Sequence, residues 1–191
     1  MNPFIEVVIP YEVTARLGES YNRTMRKADD WVLFLDHDSY VCNPDWYDIC
    51  LSVVERVGHK AGVITAVCNR TANAEQKDRG APLTNNLEDH YRRAKQLYKE
   101  HGLAFRDAMV NPQFTGFFIL THKKAWIDAG GFHEDGFHVD GRYCDKVREK
   151  GYRMIVIPGL YFYHLELEKN KFWNCSNNIY FGHGYNYLHE R

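Results

Sequence analysis

Hydrophobic residues in this chain follow two patterns, short continuous runs and longer stretches with helical spacing. The runs FIEVVIPY (4–11) and WVLFL (31–35) are rich in β-branched and aromatic side chains, which predicts strands. Between them, apolar residues recur every three or four positions, which predicts a helix from Thr14 to Ala28. A strand, a helix and a strand in this order predict a right-handed crossover with parallel strands.

The alternation continues to the C-terminal part of the chain. It predicts helices over 44–58, 87–102, 122–130 and 141–151, strands over 61–67, 114–120, 153–158 and 160–167, and a long polar loop over 68–86. Asn43 and Pro44 are a typical helix start. We therefore expect an α/β/α sandwich around a mainly parallel central sheet, forming one compact domain over 1–191. Residues 169–191, rich in aromatics, Asn and His, are expected to form a lid or a packed terminal helix.

Charge and composition exclude some classes of function. The formal net charge is -1 and no basic block is present, so nucleic acid is not an expected partner. No apolar stretch approaches the ~20 residues needed to cross a bilayer, and no leader segment is recognisable. The five cysteines are scattered without a C-x-x-C pair, as in reduced intracellular proteins. We expect a soluble protein of the cytoplasm, or of the host cytoplasm if a phage encodes it.

Two carboxylates follow the buried run WVLFL. Asp36 and Asp38 flank His37 at the carboxyl end of a predicted strand, where ligands bind in open α/β sheets. Carboxylate oxygens and a ligand's phosphates together suit Mg2+ or Mn2+. The alternative is a solvated loop or a helix cap.

The order of these motifs resembles that of nucleotide-sugar-dependent glycosyltransferases with the GT-A fold. The resemblance spans roughly residues 4 to 168 and is carried mainly by FLDHD, the downstream GGF and the histidine of YFYHLE. It is strongest to the inverting family that includes polysaccharide synthases, and to its short single-domain members from phage and microbial genomes. The resemblance implies a GT-A-like fold and a nucleoside diphosphate sugar, most simply a UDP-sugar, as donor.

A metal site is the first implication of the resemblance. Asp38 and His164 would ligate Mn2+ or Mg2+, while Asp36 would reach the ribose or the metal. A metal bound there stabilises the departing diphosphate as a Lewis acid. His164 could instead be a strand-end histidine with ordinary hydrogen bonds.

The resemblance also implies contacts to the donor nucleotide. Tyr11 would stack on the base, Arg16 would reach a phosphate, and Asn69 and Arg70 would reach the diphosphate or simply begin a polar loop. Gly116 would allow close passage of the donor, or mark a bulge. The complete implied donor set is Pro10, Tyr11, Glu12, Arg16, Asp36, His37, Asn69, Arg70 and Gly116.

The catalytic carboxylate is expected in the segment GGFHEDGFHVDGRYC. Asp140 matches the general base that would take the proton of the acceptor hydroxyl, with Glu134 and Asp135 as rivals and helix capping as the alternative role. Val139 stands where the family usually has Glu, which leaves the acceptor class open. The implied acceptor and sugar side consists of Gly131, Phe132, His138 and Val139.

These features predict a metal-dependent glycosyltransferase that moves a sugar, with inversion, to a hydroxyl of a glycan or another acceptor. Two other classes remain open at this point. A metal-dependent nucleotidyltransferase or phosphohydrolase would use similar metal-phosphate chemistry, with further carboxylates around a second metal. A nucleotide-sugar binding module would keep the nucleotide site without turnover.

Overall fold

The computed structural model describes residues 3–10, 16–109, 113–134 and 138–165. The strands are β1 (Ile5–Val8), β2 (Trp31–Leu35), β3 (Ser39–Val41), β4 (Ala61–Cys68), β5 (Arg106–Asp107), β6 (Phe118–His122) and β7 (Arg153–His164). The helices are α1 (Leu17–Lys27), α2 (Trp46–Val57), α3 (Leu87–His101), α4 (Lys123–Ala129) and α5 (Val139–Glu149), and a 3-10 turn covers Gly58–Lys60. The predicted α/β class is confirmed. Within the described ranges, no helix combines the length and the apolar character needed to cross a membrane.

The seven strands form one sheet in the order β1-β2-β6-β4-β7-β3, and β5 pairs with β7. The β1–β2 and β4–β7 pairs are parallel and the other four pairs are antiparallel, so the prediction of a mainly parallel sheet is wrong. The sheet is mixed chiefly because β6 begins at the end where β2 finishes, with Phe118 opposite Leu35. A continuous apolar run indicates burial on both faces but carries no information on strand direction.

β7 is a single strand where the sequence predicted two. Its pairing with β4 shifts between Ala66 and Val67, so that 158–160 bulge out of the ladder. A Cβ at Gly159 would lie 2.5 Å from the carbonyl oxygen of Gly102, so this close approach requires glycine. Beyond the bulge, β7 pairs with β3, which the sequence did not predict.

The sheet is covered on both faces, as a three-layer arrangement requires. One hydrophobic cluster joins α2 to the sheet through residues such as Ile49, Val53 and Leu33. The other joins α1, α3 and α5 to the opposite face, with Tyr21 and Tyr143 among its largest members. The four described cysteines are buried and free, as expected for small hydrophobic side chains: Cys42, Cys50, Cys68 and Cys144.

Asn43 does not cap α2 as the sequence suggested. The helix begins at Trp46 and its N-cap residue is Asp45. The buried Asn43 side chain instead accepts a hydrogen bond from the Tyr161 N–H (2.8 Å) and donates one to the Gly159 carbonyl (3.3 Å). It therefore anchors the segment after β3 to the bulge of β7.

A buried asparagine on α1 holds the loop that leads to α5. The Asn22 oxygen accepts hydrogen bonds from the Trp126 indole and the Phe132 N–H, both at 2.8 Å. Its nitrogen donates to the Phe132 carbonyl (2.9 Å) and to Glu134 Oε1 (2.8 Å). Nearby, a Cβ at Gly18 would lie 1.9 Å from the His133 carbonyl oxygen, so the loop packs directly on the helix backbone.

The Asn22→Ala variant is expected to be strongly destabilised. The substitution leaves the Phe132 backbone groups without partners in a buried setting, which costs about 3 kcal/mol. For a chain of this size the melting temperature should fall by about 6 to 12 °C in a thermal denaturation scan. The exposed Arg26→Ala variant on the same helix is the matched control and should melt close to wild type. Equal melting of both variants would contradict the proposed role of Asn22.

Candidate metal centre at the end of the sheet

The residues with the strongest chemical potential meet at one end of the sheet. β2, β4 and β7 finish there and β6 starts there, because β6 runs against its neighbours. After β2, residues 36–38 leave the strand toward β3, which pairs with the far part of β7. This segment is tied down at both ends, since the Asp36 N–H donates to the Phe117 carbonyl and the Asp38 carbonyl accepts from the Leu165 N–H.

Asp36, Asp38 and His164 converge at this end. One ligand atom of each residue lies within 4.8 Å of those of the other two. The closest measured pair is Asp38 Oδ1 and His164 Nε2, at 3.2 Å. Both residues are buried, with 6% and 2% of their surfaces exposed, while Asp36 is half-buried. The structure thus brings together the three residues expected to hold a metal.

The ring of His164 is oriented by a backbone carbonyl. Its Nδ1 lies 2.9 Å from the carbonyl oxygen of Arg70, and because a carbonyl can only accept, Nδ1 carries the proton. In the neutral ring, Nε2 therefore presents its lone pair to Asp38. A lone pair and a carboxylate oxygen 3.2 Å apart repel each other unless a proton or a cation lies between them. Metal-ligating histidines are typically fixed in this way through their other nitrogen.

Asp38 is a buried carboxylate without normal hydrogen bonding. Neither of its oxygens has a hydrogen bond of normal geometry, and the Arg70 guanidinium remains 3.9 Å from Oδ2. Burial opposes ionisation, but the interaction with His164 and the positive charges nearby hold the pKa of Asp38 below its usual range. A buried, ionised and unsatisfied carboxylate is costly. A bound cation would remove that cost.

Asp36 has a different electrostatic environment. Its pKa is raised to about 6, chiefly by burial; His164 works against the rise, and the charges of Asp38 and Asp140 add to it. Three carboxylates therefore share one electrostatic neighbourhood. A divalent cation would stabilise the ionised form of all three.

The donor set fits a hard or borderline divalent cation. Two carboxylates and one imidazole, arranged around a common point, suit Mn2+ or Mg2+ with room for further oxygen ligands. A second group, Asp30, His59 and His122, fits a metal less well. The Nε2 of His122 donates to the Ala61 carbonyl (3.0 Å) and its Nδ1 accepts from the Ala125 N–H (3.2 Å), so neither nitrogen is available.

The side chain of Asn69 is hydrogen-bonded to the backbone of His164. Its amide nitrogen donates to the His164 carbonyl (3.0 Å) and its oxygen accepts from the His164 N–H (2.8 Å). This two-point contact fixes the backbone of the histidine. The sequence had suggested a diphosphate contact for Asn69, and its pairing with a strand backbone left no signal in the sequence.

Arg70 is placed beside the cluster by the same turn after β4. Its guanidinium donates to the Leu165 carbonyl (2.8 Å), and 34% of its side chain is exposed. One positive charge at the rim of the cluster is suitable for a phosphate group bound there.

Asp140 lies beside Gly116. A Cβ at Gly116 would lie 3.4 Å from Asp140 Oδ2, and the charge of Asp140 acts on Asp36. Asp140 lies in the first turn of α5, whose N-cap residue is His138, and its Oδ1 accepts from the Gly141 N–H (2.8 Å). The carboxylate is therefore within electrostatic range of Asp36, and Asp140 is not the N-cap residue.

The remaining predicted residues lie in varied surroundings. On the expected acceptor side, Phe132 and Val139 are buried in the core, Gly131 packs against Asn22, and His138 is exposed with a left-handed backbone. Because their side chains are buried, Phe132 and Val139 help to pack α5 against the core. The rival base Glu134 accepts the hydrogen bond from Asn22.

The expected nucleotide side is only partly described. Pro10 is half-buried, His37 is exposed, and Arg16 is exposed and paired with Glu19 at 3.1 Å. Tyr11, Glu12 and Asp135 lie outside the described residues, as does the segment 169–191.

Gln76 is a buried residue that the sequence analysis did not single out. Its nitrogen donates to Thr65 Oγ1 (2.8 Å) and to the Thr115 carbonyl (3.1 Å), and its oxygen accepts from the Thr115 N–H (2.7 Å). It thereby fixes the backbone next to Gly116. A polar residue in a polar loop gives no sequence signal for such a role.

Comparison with known proteins adds no family assignment. The chain matches no protein-family model, and a search among curated proteins gave no significant match.

Mn2+ is expected to raise the melting temperature of the wild-type protein. At a concentration about 100 times the dissociation constant, the stabilisation is about 2.7 kcal/mol, or about 5 to 10 °C for this chain. Asp38→Asn and His164→Gln should abolish the shift, because each removes a ligand. His59→Gln, in the second Asp/His group, should keep it. Differential scanning calorimetry after EDTA treatment measures all four proteins. If only His59→Gln lost the shift, the metal would be assigned to Asp30, His59 and His122 instead of Asp36, Asp38 and His164.

Asn69→Ala is expected to weaken the binding of Mn2+ alone by about tenfold, as for other residues that support a metal ligand. The reason is the loss of the two hydrogen bonds that hold the His164 backbone. Isothermal titration with Mn2+, and then with UDP at saturating Mn2+, separates the two possible roles. Unchanged Mn2+ affinity with weakened UDP affinity would assign Asn69 to the nucleotide instead.

Proposed function

We propose that this protein is a metal-dependent glycosyltransferase with a GT-A-like fold, which transfers a sugar from a nucleoside diphosphate sugar to an acceptor hydroxyl with inversion. The donor is proposed to be a UDP-sugar, and the acceptor a glycan or another hydroxyl compound. The metal would be Mn2+ or Mg2+, held by Asp38 and His164 with Asp36 alongside.

The observation that carries the proposal is the buried carboxylate of Asp38 facing Nε2 of His164 at 3.2 Å. A cation or a proton between these two atoms would relieve their repulsion, and the carboxylate of Asp140, which lies beside Gly116, acts electrostatically on Asp36 of the same group. A candidate cation site with a separate carboxylate in its electrostatic range suits a reaction in which the cation stabilises a charged leaving group and the carboxylate removes a proton.

The proposed reaction gives separate roles to the metal, Asp140 and Arg70. The metal, when bound, supplies Lewis-acid stabilisation of the leaving diphosphate. Asp140 accepts the proton of the acceptor hydroxyl as its oxygen forms the new bond to the anomeric carbon. The bond from that carbon to the diphosphate oxygen breaks with its electron pair, and the nucleoside diphosphate leaves. Arg70, at the rim, offers its charge to the phosphates.

The first test is the binding of UDP and GDP with and without Mn2+. Binding of UDP that depends on Mn2+ and is lost in Asp38→Asn is expected, because the diphosphate completes the coordination of the metal. Isothermal titration measures it. Absence of nucleotide binding under every condition would refute the proposal.

Asp140→Asn should then leave UDP–Mn2+ binding intact while slowing UDP release from the preferred UDP-sugar by about 100-fold or more, the usual range for a lost general base. Glu149→Gln, exposed near the end of the same helix, is the matched control. Binding without turnover in the wild type would identify a binding module, and hydrolysis of UDP itself would identify a phosphohydrolase. Full activity of Asp140→Asn would transfer the role of base to Glu134 or Asp135.

A further inference from the structure

A second feature is formed by residues that follow Arg70 in the chain. A cleft of about 580 Å³ is lined by small and basic side chains: Thr71, Ala72, Ala74, Lys77 and Arg79. Its first residue follows Arg70, whose carbonyl oxygen orients His164. The cleft is therefore continuous in sequence with the turn that supports the metal cluster.

The positive charges in this cleft are not neutralised by the acidic residues around them. Asp78, between the two basic residues, is held by Arg93 through two hydrogen bonds of 2.7 Å. Glu75 is paired with Arg106. Within the part of the chain that the structure describes, neither Lys77 nor Arg79 forms an ion pair. Two cationic groups therefore face the cleft with their charges uncompensated.

The loop that carries these charges is rigidly attached to the sheet. The backbone of Cys68 accepts from the Asp78 N–H (2.9 Å) and donates to the Gln76 carbonyl (2.8 Å), which pairs Lys77 with the end of β4. Gln76 itself is fully buried. The backbone at Lys77 is thus fixed before any ligand arrives, which reduces the entropy cost of binding.

The loop that lines the cleft contacts the segment that precedes Gly116. Thr71 Oγ1 is 2.7 Å from Thr115 Oγ1, and the Asn73 side chain donates to the Gln113 carbonyl (2.8 Å). Gln113 in turn packs 3.8 Å from the position of a Cβ on Gly141, the neighbour of Asp140. The loop that lines the cleft is thus in contact with the segment that leads to Gly116, beside which Asp140 lies.

We infer that this cleft binds a negatively charged group of the acceptor substrate, a phosphoryl or a carboxylate group. The identification of the ligand as the acceptor rests on the proposed function, and its negative charge is inferred from Lys77 and Arg79. The donor diphosphate is the obvious competing anion, but it is assigned to the metal cluster and Arg70. The acceptor is therefore an anionic glycan or a phosphorylated hydroxyl compound.

The test uses three probes of similar size: glucose 1-phosphate, glucuronate and neutral glucose. Each is titrated into the full chain by isothermal calorimetry, with and without saturating UDP and Mn2+. At least one anionic probe should bind in both conditions and glucose should not. Affinity should fall as ionic strength rises, because the contacts are between exposed charges. The anion that binds with the higher affinity identifies the ligand group as a phosphoryl or a carboxylate.

The decisive variant is Lys77→Gln/Arg79→Gln, with Arg92→Gln/Lys99→Gln on the exposed side of α3 as the control. Lys77→Gln/Arg79→Gln should lower the affinity for the anionic probe by about tenfold or more and leave the UDP–Mn2+ affinity unchanged. The control variant should change neither affinity. An unchanged anion affinity, or no binding of either anion to wild type, would overturn the inference.

Two further outcomes separate this inference from the proposed function. Loss of UDP–Mn2+ affinity in Lys77→Gln/Arg79→Gln would assign the cleft to the donor diphosphate and overturn the acceptor assignment. Anion binding that depends on the two basic residues in a protein that binds no UDP would support the anion site and overturn the glycosyltransferase proposal alone.

Discussion

The hydrogen bond from Nδ1 of His164 to the carbonyl oxygen of Arg70 is the interaction on which the candidate site depends. It joins the ends of β7 and β4 and decides which nitrogen of His164 faces Asp38. The parallel pairing of these strands and the bulge at 158–160 set the register at which Phe162 lies opposite Cys68, so that His164 falls level with the turn that follows β4. Asn69 then fixes the histidine backbone from the same turn. A shift of β7 by one residue would bring Tyr163 or Leu165 to the position of His164, neither of which supplies an imidazole to Asp38.

Buried amide side chains elsewhere in the described part of the chain contrast with Asp38. The amides of Asn22, Asn43 and Gln76 are buried, and each has hydrogen bonds on both its oxygen and its nitrogen. Asp38 is equally buried, but its oxygens have no hydrogen bond of normal geometry. Within the described residues, these three buried amides are therefore satisfied, whereas the buried carboxylate of Asp38 is not. Such local cost is typical of functional sites, where stability is lower than the fold could provide.

Some of this arrangement could be predicted from the sequence, and the reasons for the rest are physical. The apolar run before Asp36 identifies a buried strand, and ligands of open α/β sheets bind at strand ends, so the position of the acidic pair followed directly. His164 entered only through a family resemblance, because nothing local links it to residues 126 positions earlier. The direction of β6 was missed since burial does not encode strand direction. The roles of Asn69 and Gln76 were missed because an amide in a polar loop has the same sequence signature whether it is exposed or buried.

The two sides of the candidate site come from different parts of the fold, and one loop connects them. The metal side is built by the ends of β2, β4 and β7, whereas Asp140 is placed by α5. Gly116 lies beside Asp140, and the residue before it, Thr115, is held by the amide of Gln76. The loop around Gln76 also lines the basic cleft. Because this loop is attached to β4, the position of the cleft relative to the two sides of the candidate site is fixed. The loop after β4, long in sequence and without periodicity, is thus a structural support of the site: its buried amide holds Thr115 shortly before β6 begins at Phe118, and its exposed Lys77 and Arg79 line the basic cleft.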